Sequence, residues 1–261
     1  AGETIASGTP NPIQTRPIID RLFPDSVAGR MGAQSITIDH GAIEWPVTSS
    51  AITAGWAASE TGAVAGPTAY ATTDKALAPD HNLGITMRIT RKALKQSGAA
   101  LEQAVRRDMA GAIAAELDKA VFLGTGATGQ PLGVITGQST YGITSTPVAD
   151  LASWAAFRAA VVRFMTANAA GSPGSVRMLI RPETWSVLDD NLISGTAVSE
   201  WDRLIRHIPA SNIAMSANAL EEPAGDTAGP LETSALLTTN AGGVSPIFVG
   251  LWGAVDVIRD P

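Results

Sequence analysis

The residues whose spacing most clearly suggests chemistry are Gly124-Thr125-Gly126-Ala127-Thr128-Gly129. They satisfy G-x-G-x-x-G, the dinucleotide fingerprint, and also G-x-x-x-x-G, the first half of a phosphate-binding P-loop. Either motif would hold phosphate oxygens on backbone N–H groups at a helix N-terminus. Here the order is inverted. A long helical pattern ends at Gly124, and Gln130-Pro131 stands where a P-loop needs Lys followed by Ser or Thr. A helix C-terminus carries the negative end of the dipole and repels phosphate. The stretch therefore reads as a helix stop and a tight connection, with Gly124, Gly126, Gly129 and Pro131 as structural turn residues.

Other candidate groups are weaker. His40, His81 and His207 are the only histidines, and none has a second ligand at metal spacing. Asp189-Asp190 and Glu221-Glu222 are adjacent pairs whose side chains diverge, so neither makes an acid/base dyad. No G-x-S-x-G elbow occurs, and with no cysteine there is neither a disulfide nor a thiolate site. No catalytic, cofactor-binding or metal residue is assigned, and no cofactor is expected.

The elements around these residues have an unusual composition. Of the 261 residues only 16% are charged and 45% are hydrophobic, against about 25% charged in an average protein. Two readings fit: an ordinary Ala-rich protein, or a subunit that buries much of its surface against copies of itself. The net charge of −6 argues against holding nucleic acid by counterion release, though not against enclosing it. No apolar run approaches the roughly 20 residues of a membrane span, and the start AGETIASGTPNPIQ resembles no signal peptide. That start also lacks Met, which reads as a processed or cut chain.

Residues 1–30, with Pro10, Pro12, Pro17 and Pro24, read as an extended arm. SITIDHGAIEWPV (35–47) reads as a hairpin turning at Asp39-His40-Gly41, with Pro46 on an edge strand. LGITMRIT (83–90) alternates like a strand. RKALKQ then reads as a short helix stopped at Ser97-Gly98, followed by a long helix over 99–123 with Ser97 as N-cap and a Glu102–Arg106 pair. Its apolar residues Leu101, Val105, Met109, Ile113, Leu117 and Val121 recur every fourth position. That stripe winds around the rod, so the two ends should face different neighbours.

Downstream, a helix is expected over 150–165 with Asp150 as N-cap, a strand over 175–180 and a helix over 181–190 opened by Pro182. Asp202-Arg203 suggests a surface helix. Shorter strands are expected near Ile213–Met215, Ala235–Thr238 and Ile247–Leu251, with a polar loop at 221–230. The mix is α+β without regular β-α-β alternation.

One segment stands apart. TSSAITAGWAASETGAVAGPTAYATT (48–73) is almost wholly small residues, with Trp56 and Tyr70 its only large side chains. It has too little apolar area to order itself, so it is either flexible or ordered on another subunit. Trp154 and Trp185 fall on apolar helix faces and are expected in the core. Trp45, Trp56, Glu60 and Tyr70 are the candidate subunit interface, because exposed aromatics are typical interface anchors.

The long helix running into L-G-T-G-x-x-G-Q-P-L-G-V (Leu123 to Val134) resembles the major capsid proteins of tailed phages, the Hong Kong 97 type. AIEWPV followed by a long small-residue loop and LGITMRITRKALKQS is similar to that family's E-loop and its return. LIRPETWSVL resembles its strand-Pro-x-x-Trp-helix segment. The resemblance implies an N-terminal arm (1–35), an E-loop hairpin (36–82) and a peripheral domain with a spine helix (83–131). An axial domain (132–240) and a return to the peripheral domain (241–261) that reads as truncated would follow. It further implies a non-enzymatic shell protein, assembled in the host cytoplasm as pentamers and hexamers of a virion capsid. Portal and protease or scaffold would be its partners, with DNA enclosed without sequence-specific contacts and no membrane involved.

The sequence departs from the family's pattern in places. No Lys precedes Lys75, so a lysine at the E-loop tip is missing and no covalent cross-link of the kind some members make is expected. The scaffold-like region that precedes the mature chain in many members is absent, and relatives usually continue past Pro261. An encapsulin-type compartment shell is the alternative within the same fold. A nucleotide-binding enzyme using 124–129 is the alternative outside it.

Overall fold

A computed structural model describes residues 26–50, 54–64, 69–148, 151–223 and 233–252. Most of the expected N-terminal arm, Asp150 and most of the 221–230 loop lie outside the described residues. The elements run β1 (Ala33–Ile38), β2 (Ile43–Thr48), β3 (Thr72–Leu77), α1 (Arg91–Leu123), α2 (Gln138–Tyr141), α3 (Trp154–Thr166), β4 (Val176–Ile180), α4 (Pro182–Asp190), α5 (Glu200–Ile205), β5 (Ile213–Met215), β6 (Leu236–Thr239) and β7 (Ile247–Trp252). The chain falls into two units, one containing Leu83–Leu117 and the other Ser26–Asn82 with Asp118 onward.

In the larger unit the core is built on β4, the middle strand of a three-stranded sheet in the order β5-β4-β6. β4 pairs parallel with β5 and antiparallel with β6. The parallel pair needs a crossover, which α4 and α5 supply. Alternation along VRMLI sends Val176, Met178 and Ile180 to one face, where Trp154, Val161, Leu188, Leu204 and Ile208 cover them. Leu179 points the other way and meets Phe122, Val27, Met31 and Leu220. Both faces of β4 are covered, and so its residues are apolar except Arg177.

Caps fix the helices locally. Ser153 caps α3, its hydroxyl accepting from the Ala156 N–H. The Trp154 N–H goes instead to the buried Glu200 carboxylate at 2.9 Å, so a negative charge sits at the start of α3. Ser199 caps α5 through the Asp202 N–H, and Pro182 opens α4.

Several expectations are corrected. The 35–47 hairpin does not form. The chain turns at Gly41 (φ +74°), but β1 pairs in parallel with β7, whereas β2 pairs antiparallel with β3 across the long loop. The Trp252 Nε1–H donates to the Gly41 carbonyl at 2.7 Å, holding the turn open between the two ladders.

Residues 83–90 have no strand partner among the described residues, and Leu83, Ile85, Met87 and Ile89 are exposed. Alternation alone does not make a strand without a ladder to satisfy its backbone. The stop at Ser97-Gly98 is also absent, and one helix runs from Arg91 to Leu123. A single glycine costs about 1 kcal/mol, which the good helix formers on both sides offset. Ser97 therefore lies inside the helix and not at its start, and Ser153 takes the capping place expected of Asp150.

Trp154 is buried as expected, but Trp185 is 38% exposed. Thr184 and Leu188, four apart, take the inward face of α4, which turns Trp185 outward. No helix among the described residues is long and apolar enough to cross a membrane.

Candidate functional site

The glycine stretch lies directly on the end of α1. After Gly124 the chain turns and comes back, with Thr125 and Leu132 forming an antiparallel bridge. The returning N–H groups of Val134, Ile135 and Gly133 donate to the carbonyls of Val121, Phe122 and Gly124 at 2.9, 2.9 and 2.8 Å. These are the carbonyls that a helix end leaves without partners.

Gly126 and Gly129 have φ of +68° and +82°, where a side chain is strained. Gly124 is needed for a different reason. A Cβ there would strike the Pro131 carbonyl and lie 2.6 Å from the Ala120 oxygen, so the return is possible only without one. The N–H groups of Gly124, Gly126, Ala127, Gln130 and Gly133 are all taken by oxygens of this chain. A phosphate cradle would need such donors free and pointing outward. His81 Nδ1 sits 3.2 Å from the Gly129 carbonyl, tying the segment after β3 to the turn.

The candidate interface residues divide. Trp56 is wholly exposed, Tyr70 is 67% exposed, and Glu60 lies on the same open loop. The Tyr70 hydroxyl bonds Thr48 Oγ1 at 2.9 Å across the base of the β2–β3 ribbon. Trp45 differs: an intramolecular partner was not expected for it, yet its ring stacks on Phe248 of β7 with centroids 5.7 Å apart.

Three buried charged residues went unnoticed in the sequence. Asp118 accepts from Ser26 Oγ (2.8 Å), the Val27 N–H (3.1 Å) and the Ala28 N–H (3.0 Å), tying residues 26–28 to the end of α1. Arg181 donates to the Ala217 and Leu220 carbonyls, both at 2.8 Å, and grips the Glu183 carboxylate with two nitrogens. The hydrogen bond from Arg181 holds the Glu183 carboxyl below its ordinary pKa. Glu200 is the third, at the start of α3.

Only Asp118 left a usable sign, sitting four residues before Phe122 and so on the face of a fully buried ring. An open cleft of about 470 Å³ lies beside Arg181, lined also by Lys119, Leu123, Asn218 and Glu222. Arg181 is already spent on its own chain there. Among the described residues no cluster of His, Asp and Glu could hold a metal ion.

The sequence profile of the phage capsid family matches residues 9–192. The chain belongs to the phage capsid family. Solved structures agree at the level of fold. A chain from Mycobacterium phage Bobi superposes with a TM-score of 0.57 at 13% identity, covering 88% of this chain and 75% of that one. The cyanophage A-1(L) capsid gives 0.53 at 13% identity, covering 81% and 76%. The capsid of a native GTA particle gives 0.53 at 17% identity over 69% of this chain, and the matched region is 63% of the GTA chain's length. This phage capsid family member thus spans less than two thirds of that relative. No curated protein matches the sequence.

Proposed function

We propose that the chain is a major capsid protein that assembles with copies of itself into the icosahedral head of a phage, prophage or gene-transfer particle. The match to the phage capsid family over residues 9–192 carries this reading. The exposed loop around Trp56 supports it, since a side chain left wholly in water on a small-residue loop is what a subunit presents before meeting a neighbour.

In this reading residues 36–82 are the E-loop, α1 is the spine helix, and 132–240 form the axial domain. The chain before residue 36 is the arm. Trp56, Glu60 and Tyr70 lie on a neighbouring subunit, with Trp45 at the root of the loop. The glycine turn is the connection leaving the spine helix, and its role is structural, not catalytic. Pentamers and hexamers form in the host cytoplasm, portal and protease or scaffold join them, and the acidic shell encloses DNA without gripping it.

Light scattering after size exclusion, with negative-stain images of any large peak, tests the proposal. Closed shells or rings are the expected result. Deleting residues 48–73 should leave a folded monomer that forms no such peak. Tight nucleotide binding by a protein that stays monomeric would overturn the reading.

A further inference from the structure

Helices α3 and α4 both pack against α5. Each turns an amphipathic face outward. On α3 that face is Arg158, Val162 and Met165, spaced four and three apart, with Val162 49% and Met165 37% exposed. On α4 it is Trp185 with Asp189, four apart, and Val187 with Asp190, three apart.

The two faces differ in sign. The only charged residues of α3 are Arg158 and Arg163, and the only charged residues of α4 are Glu183, Asp189 and Asp190. Arg163 bonds Thr146, and Glu183 is held by Arg181. Arg158, Asp189 and Asp190 are exposed and have no ion-pair partner among the described residues.

We propose that copies of this chain join head to tail, the α3 face of one against the α4 face of the next, with Arg158 opposite Asp189 and Asp190. This rests on the shell reading above and names the surface through which subunits meet. Charge selects the pairing. Two α3 faces would set Arg158 against Arg158, and two α4 faces would set four carboxylates together, so both symmetric pairings are opposed. The mixed pairing joins opposite charges around apolar side chains on both partners. A contact between two different faces of one subunit, repeated with a closing rotation, makes rings.

The test reverses the charges one face at a time in the full chain and follows assembly by light scattering and native mass spectrometry. R158E alone, and D189R/D190R alone, should each raise the concentration for half-assembly by at least about tenfold while melting as the wild type does. In a one-to-one mixture every contact between unlike variants again joins opposite charges. Assembly should return, in even-numbered rings that alternate the two variants. The triple variant R158E/D189R/D190R, reversed on both faces, should assemble by itself.

Single variants that assemble as readily as the wild type would overturn the pairing and leave the shell reading standing. A triple variant that melts normally yet stays monomeric would overturn it as well. A wild-type chain that never assembles would remove the shell reading, and this one with it.

Discussion

The sheet around β4 and the β2–β3 ribbon with its loop belong to one chain but meet different physical demands. Around β4 both faces are sealed, and Met178, Leu188, Leu204 and Ile208 have no solvent exposure at all. In the ribbon Ile43 and Trp45 of β2 are only half-buried, Leu77 is the one residue of β3 that is even partly covered, and at the loop Trp56 is fully in water. The first region obtains its stability from burial inside the subunit. The second has backbone pairing but almost no apolar burial, and an isolated two-stranded ribbon is marginal in water. In the proposed reading, the contrast separates what holds the subunit together from what it keeps for other subunits.

The strongest way to sharpen that contrast is to truncate one large side chain in each region. Leu204→Ala opens a cavity in a sealed core and should cost about 2–5 kcal/mol. Trp56→Ala removes a larger side chain with no contact to lose, and should change stability by less than about 0.5 kcal/mol. Their effects on assembly should be reversed in rank: Trp56→Ala abolishes large particles, while Leu204→Ala permits them at temperatures where it is folded. Urea unfolding for each variant beside its scattering profile checks both halves. A destabilisation of several kcal/mol in Trp56→Ala would show that the loop belongs to the subunit's own core.

Legibility in the sequence follows the same division. VRMLI, RPETWSVLDD and the short strands at 213, 236 and 247 were readable because each packs at least one apolar residue into or against the core, so local pattern and tertiary burial largely agree. LGITMRIT has the same alternation but no partner among the described residues, so pattern alone misled. The 35–47 segment misled for a related reason: its turn signal was sound, but which strand β1 and β2 would join depends on β7 and β3, far along the chain. At the glycine stretch, the helix end and the inverted context were legible. The collision that a Cβ at Gly124 would cause was not, because it depends on where Pro131 returns. Asp118, Arg181 and Glu200 were harder to read, since each bonds backbone groups between 36 and 91 residues away.

Asp118 lies between the two extremes: a buried charge, in the well-packed region, holding residues 26–28. Asp118→Ala would leave the Val27 and Ala28 N–H groups without an acceptor, at a cost of about 1–3 kcal/mol. Because all its bonds go to residues 26–28, the loss should be local. Amide exchange should quicken over residues 26–31 well before it does in β4. Uniform acceleration across β4 and residues 26–31 would mean that this anchor and the sheet unfold as one unit.

The smallest effect expected is at Glu183, and it depends on pH. Its carboxyl titrates below the ordinary range because Arg181 donates to it, so it supports the fold when ionised. A lowered carboxyl pKa adds stability above the unfolded value of about 4.3, and that contribution fades as pH falls through the lower folded value. With the Glu183 side chain 39% exposed, solvent screens most of the gain, leaving less than about 1 kcal/mol. Glu183→Gln keeps the shape and removes the charge. Above about pH 5 it should melt below the wild type by no more than about 3 °C, and the two curves should converge in stronger acid. A gap that persists undiminished below the folded pKa would mean that the ionised carboxylate is not what holds Arg181. The grip on the Ala217 and Leu220 carbonyls would then be the part that matters to the core.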